Sequence, residues 1–97
     1  MLDALTGTAQ VNTPISRYDE LDLVTRQIAR DFQVNVERLA VGLDATLVET
    51  KDQLERHRLA QKVLISIQNE LQKRTGCTYN TAKHHVTVLI REARRAQ

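Results

Sequence analysis

Tryptophan is absent, phenylalanine occurs once and tyrosine twice, so aromatic rings cannot build the interior of this 97-residue chain. Leu, Val, Ile and Ala must do so, and these pack most readily between helices. Cysteine occurs once, at Cys77, which excludes an internal disulfide and fits a reducing compartment. Proline occurs once and glycine three times, and neither falls between Leu47 and Arg74, where one long helix is therefore expected. No apolar stretch approaches the ~20 residues a bilayer-spanning helix needs. The segment Met1–Gly7 has no basic cluster and no apolar run, so neither a signal nor a transit peptide is expected. These absences point to a cytoplasmic protein without a membrane partner. Residues 1–13 read as a flexible polar arm and residues 14–97 as a single helical domain.

The formal net charge of +2 conceals an asymmetry. Residues 1–55 hold ten acids against five bases, a balance of −5, whereas residues 56–97 hold nine bases against two acids, a balance of +7. All three histidines lie in the basic half. Such a division suggests a polyanionic partner for residues 56–97 and leaves residues 14–55 for dimerisation or a protein partner. Mutual attraction of the two halves is the plainer alternative.

Apolar spacing gives the helices. Thr13-Pro14, or Ser16 followed by Asp19, starts a first helix that runs to about Phe32, with Tyr18, Leu21, Val24, Ile28 and Phe32 along one stripe. Asn35 caps a short helix from Val36 to about Leu43, with Leu39, Ala40 and Leu43 inward. A new start follows at Asp44 or Thr46. In the long segment, Ala60, Leu64, Ile67 and Leu71 share a face, but Leu47 and Leu54 lie about a third of a turn away at ~100° per residue. The helix either bends near Glu55–Arg58 or turns its two halves to different neighbours, such as a second copy. Thr75-Gly76 ends it, and Thr78 or Asn80 caps a final helix to about Arg95. The expected fold is all-α, with four to five helices and no sheet, its long central helix followed by a C-terminal helix-turn-helix.

On that last helix Ala82, Val86, Leu89 and Ala93 form a narrow apolar stripe, flanked by Tyr79 and Ile90. The opposite face presents Asn80, His84, Thr87, Arg91 and Arg95, with Lys83 and Arg94 at its border. Asn suits an adenine edge, Arg a guanine edge, and Thr or Lys a phosphate. The order of pieces agrees with this. Gly76 permits a sharp turn, Cys77 is the small residue after it, and Ala82 lets two helices cross closely, as a helix-turn-helix requires.

The stretch Gly76-Cys77-Thr78-Tyr79-Asn80-Thr81-Ala82-Lys83-His84-His85-Val86 resembles the turn and recognition helix of LuxR-type transcription regulators. Thr78 stands for that family's serine and Ala82 for its valine, while Thr81, Lys83 and His85 match directly. The resemblance implies that Thr78, Thr81 and Lys83 touch DNA. It covers about eleven residues, and the family's extra turn and short scaffold helix have no counterpart upstream, so it is a helix-turn-helix likeness and not membership.

A second helix-turn-helix pattern, Ile28 to Leu43, carries Asp31, Glu37 and Asp44 around its reading helix, which phosphates would repel, and is read as scaffold or dimer surface. Cys77, His84 and His85 lack a further ligand for zinc, so no metal and no cofactor are expected. With no phosphate loop, nucleophile elbow or apolar carboxylate pair, no enzyme is expected either. The sequence therefore reads as a homodimeric regulator of transcription that binds double-stranded DNA. Its expected DNA-binding residues are Lys73, Arg74, Thr78, Tyr79, Asn80, Thr81, Lys83, His84, Thr87, Arg91, Arg94 and Arg95. The alternatives are a helical adaptor for an acidic protein, favoured by the out-of-phase Leu47, Val48 and Leu54 and the isolated Ile65, and a structured-RNA binder.

Overall fold

Each α-helix begins on a side-chain oxygen that accepts one of the amide protons a helix start leaves unpaired. Ser16 Oγ accepts from Asp19 N–H, Asn35 Oδ1 from Arg38 N–H, Thr50 Oγ1 from Gln53 N–H, and Thr78 Oγ1 from Thr81 N–H. In the computed structural model, which describes residues 16–96, the helices are α1 (Arg17–Asp31), α2 (Val36–Leu43), α3 (Lys51–Thr75) and α4 (Tyr79–Arg95). A 3-10 turn, Ala45–Leu47, capped by Asp44, joins α2 to α3. There is no strand among the described residues, and none of their helices is long and apolar enough to cross a membrane. Ser16 is the cap of α1, and the alternative start at Thr13-Pro14 lies outside the described residues.

Two left-handed residues end α1 and α3. Gly76, at φ 71°, closes α3 with its N–H on the Gln72 carbonyl. Gln33, at φ 56°, closes α1, where Gln33 N–H bonds the Arg30 carbonyl and Val34 N–H the Ala29 carbonyl. This is the Schellman arrangement, here built without glycine.

The core joins Leu21 and Ile28 of α1, Leu39 and Ala40 of α2, Ala60, Ile67 and Leu71 of α3, and Ala82, Val86, Ile90 and Ala93 of α4. Ile28, Ile67, Leu71 and Val86 are fully enclosed, and such side chains each stabilise a fold by roughly 1.5–3 kcal/mol. α4 packs against all three other helices, so the acidic and basic halves of the sequence are interleaved in space.

Several expectations are corrected. Tyr18 and Phe32, placed on the inward stripe of α1, are 48% and 41% exposed, because they sit at the two ends of the helix, beyond the width of the core. Thr25 is buried instead, its hydroxyl satisfied by the Leu21 carbonyl at 2.7 Å. α3 is one helix without a break, and its two halves do face different neighbours, both in the same chain. Its first half meets α2: a Cβ placed on Gly42 would lie 3.1 Å from Ala60 Cβ, and His57 Nδ1 lies 2.9 Å from the Gly42 carbonyl oxygen. Its last turn meets α1 through Arg74–Asp31 at 2.9 Å and Arg17 on the Thr75 carbonyl. Leu47 belongs to the 3-10 turn, which accounts for its being out of phase.

Candidate nucleic-acid interface

The three neighbours of α4 decide which of its side chains remain outside. α1 flanks one edge, where Tyr18 stacks on His85 and Arg26 bonds Glu92. α2 leads into the other edge, where Asp44, at its C-terminal end, feels the charge of Arg94. α3 packs against it as well. Ala82, His85, Val86, Leu89, Ile90 and Ala93 are buried, and Asn80, Lys83, His84, Thr87, Arg91, Arg94 and Arg95 are exposed. At ~100° per residue the exposed set spans an arc of roughly a third of a turn.

No carboxylate lies on that arc. Glu92, the one acid of α4, points toward α1, and its bond to the Arg26 guanidinium, with lesser help from Asp22, raises the pKa of that already basic group. Asn80, Lys83, Thr87, Arg91 and Arg95 form no side-chain hydrogen bond or ion pair with other described residues. A solvated run of unopposed bases, with an amide and a hydroxyl among them, presents donors outward along one helix.

The other expected contact residues differ in availability. Thr78 is exposed, but its hydroxyl caps α4 and also donates to Thr81 Oγ1 at 2.9 Å. Thr81 is half-buried, Tyr79 is 54% exposed, and Lys73 is exposed on the last turn of α3. Arg74 is already engaged: it bonds Glu70 at 2.8 Å and Asp31 at 2.9 Å, which raises its own pKa, while Gln27 and Arg74 hold the Asp31 carboxyl below its ordinary value. Arg74 therefore fastens α3 to α1, and its guanidinium would have to give up carboxylates to reach a phosphate.

His85 lies outside the stripe of Ala82, Val86, Leu89 and Ala93 that the sequence marks as apolar. It is 1% exposed, because α1 widens the buried arc on that side. Burial lowers its pKa from the ordinary histidine value, the nearby charge of His84 lowers it further, and Asp22 opposes both. Its Nδ1 stands 3.9 Å from Asp22 Oδ1, and neither atom has a hydrogen-bond partner among the described residues. His85 thus serves as a core residue whose burial favours the neutral ring.

Two residues that the sequence did not assign to the site bear on it. Tyr18 reaches from α1 to place its hydroxyl 3.0 Å from His84 Nε2 at the margin of the basic face, and Arg26 removes Glu92 from it. A ring with an apolar body and a polar tip belongs at such a boundary, which was the available signal for Tyr18. Among the described residues no three His, Cys, Asp or Glu side chains are placed to hold a metal ion.

Elsewhere, α2 and α3 frame an open groove of about 750 Å³ lined by Val34, Leu39, Val41, Leu59 and Val63, with Arg38 and Arg56 among its polar lining. Val41 and Leu59 are about half exposed there, at 47% and 53%. No family model, no curated protein and no solved structure matches this chain.

Proposed function

We propose that the protein is a small sequence-specific DNA-binding regulator of transcription, with α3, the Gly76 turn and α4 acting as a helix-turn-helix and α4 laid in the major groove. One observation carries this reading: the outer arc of α4 bears Asn80, Lys83, His84, Thr87, Arg91, Arg94 and Arg95 without a carboxylate, while the helix's single acid is bound to Arg26. Seventeen residues at ~1.5 Å each give a rod of roughly 25 Å, suited in length and width to a groove about 12 Å wide. Lys83, Arg91, Arg94 and Arg95 would supply phosphate or guanine contacts, Asn80 an adenine contact, and Thr87 either. The amide groups at the start of α4 favour a phosphate there.

The apolar groove between α2 and α3 supports a second copy or another protein as a further partner. In a two-fold homodimer the two α4 helices would address half-sites about one duplex turn apart, or a multiple of it. The same groove favours the second reading, a helical adaptor that never meets nucleic acid.

Retention on immobilised random duplex at low salt, with elution against heparin and single-stranded and double-stranded RNA, tests these readings together. Duplex DNA retention that DNA competes better than RNA supports the regulator. Preference for RNA transfers the same face to an RNA target, and flow-through without retention leaves the adaptor.

A further inference from the structure

Tyr18 and His84 come from helices 66 positions apart, yet the Tyr18 hydroxyl lies 3.0 Å from His84 Nε2. The pair is braced from behind. The Tyr18 ring packs on His85 with centroids 4.5 Å apart, and the ring of fully enclosed His85 lies 5.4 Å from that of His84. The Tyr18 and His84 rings meet edge to face at 5.6 Å. Asp22, on the same helix as Tyr18, places Oδ1 3.9 Å from His85 Nδ1. His84 itself is exposed at the edge of the basic arc.

A phenol hydroxyl is a better donor than acceptor, and an unprotonated imidazole nitrogen is a strong acceptor, so the favoured bond is Tyr18 O–H donating to His84 Nε2. Which ring nitrogen carries the proton is set by the bond the other one makes. With Nε2 accepting, the neutral ring carries its proton on Nδ1. Protonation of the ring adds a proton at Nε2, which then donates to the Tyr18 oxygen and leaves Nδ1–H in place.

We infer that Tyr18 is a positioning residue of the interface, fixing His84 so that Nδ1–H faces the ligand as a hydrogen-bond donor in both protonation states. This rests on the reading of α4 as a nucleic-acid helix. The ligand group it selects is an acceptor, either a phosphate oxygen or a base acceptor such as a purine N7, guanine O6 or thymine O4, and the exocyclic amines of adenine and cytosine are excluded. The contact that His84 makes thereby depends on a residue of α1 that lies outside the helix-turn-helix.

Two measurements decide this. Imidazole nitrogen shifts of ¹⁵N-histidine-labelled protein, at a pH where His84 is neutral, should show Nδ1 protonated and Nε2 bare. Tyr18→Phe, which keeps the ring and removes the hydroxyl, should return His84 to the Nε2–H form that free histidine side chains favour. Nε2–H already present in the wild type, or no change on substitution, overturns the inference. In binding to a random duplex pool, Tyr18→Phe and His84→Ala should each weaken affinity about three- to tenfold, the double variant binding little worse than either. Additive effects would overturn it as well. Replacing guanine or adenine by its 7-deaza analogue abolishes the Tyr18 effect if the acceptor is a purine N7. 2-Aminopurine for guanine or 5-methyl-2-pyrimidinone for thymine abolishes it if the acceptor is O6 or O4, and methylphosphonate linkages abolish it if the acceptor is phosphate. An effect that survives all of these overturns the inference. A wild type that binds no duplex would overturn the ligand and the DNA reading beneath it, while the nitrogen shifts would still report the tautomer.

Discussion

Arg26 of α1 binds the carboxylate of Glu92 on α4, and through this pair the one acid of α4 is turned away from the helix's basic face. The two side chains are 37% and 47% exposed, so the pair is a surface one and contributes at most about 1 kcal/mol to stability. Glu92→Gln should therefore shift the urea midpoint little and leave nucleic-acid affinity equal or tighter, since it removes a negative charge that would repel the phosphate backbone. Weaker duplex binding with intact folding would show that Glu92 does more than stand aside.

Gly42 and Ala60 set the distance between α2 and α3. A Cβ on Gly42 would meet the Ala60 Cβ at 3.1 Å, and that atom is fixed to the α3 backbone with no rotamer to relieve it. Gly42→Val should cost roughly 1–3 kcal/mol in denaturant unfolding, as overpacked cores do. A variant as stable as the wild type would mean that the helices separate without penalty.

Gln33 is the one described non-glycine residue in the left-handed region, at φ 56°. A Cβ there costs about 1–2 kcal/mol, partly offset by the greater unfolded-state freedom of glycine. Gln33→Gly should accordingly raise stability by about 0.5–1 kcal/mol, and the thermal midpoint should rise with it. Gly76→Ala, at φ 71° with open space around it, should have the opposite sign.

His85 links folding to acid. Its folded-state pKa is lowered by burial and by His84, against the pull of Asp22. As pH falls through about 6.5 the unfolded chain takes up the proton first. The stability that His85 contributes is therefore complete above that pH and lost below it, until the folded form is protonated too. Urea titrations between about pH 7.5 and 5 should show this fall, and His85→Leu should make the curve flatter. An unchanged slope would remove His85 as its source.

Much of the fold was legible because caps and breaks are local. Asn35, Thr78 and Gly76 mark helix ends through their own side chains or backbone, and all three serve as the sequence suggested. Ala60, Ile67 and Leu71 are buried as their spacing implied. Periodicity locates the centre of a buried face but not its width, which depends on how many neighbours close around it. α4 has three, so His85 is enclosed, while Tyr18 and Phe32 fall beyond the ends of the core. The engagement of Arg74 with Asp31 and the bond from Tyr18 to His84 join residues far apart in the chain. No local pattern could announce them.

The exposed bases of α4 are tested most directly by fluorescence anisotropy of a labelled random-sequence duplex across a salt series. Wild type, Lys83→Ala and Arg91→Ala would be compared, with circular dichroism confirming that each stays helical. The expected result is an affinity that falls steeply with salt. Each substitution should weaken binding and make the log–log slope shallower by about one unit, because one phosphate fewer is neutralised. Binding that is absent at low salt, or slopes identical in all three proteins, would contradict the assignment of this face to nucleic acid.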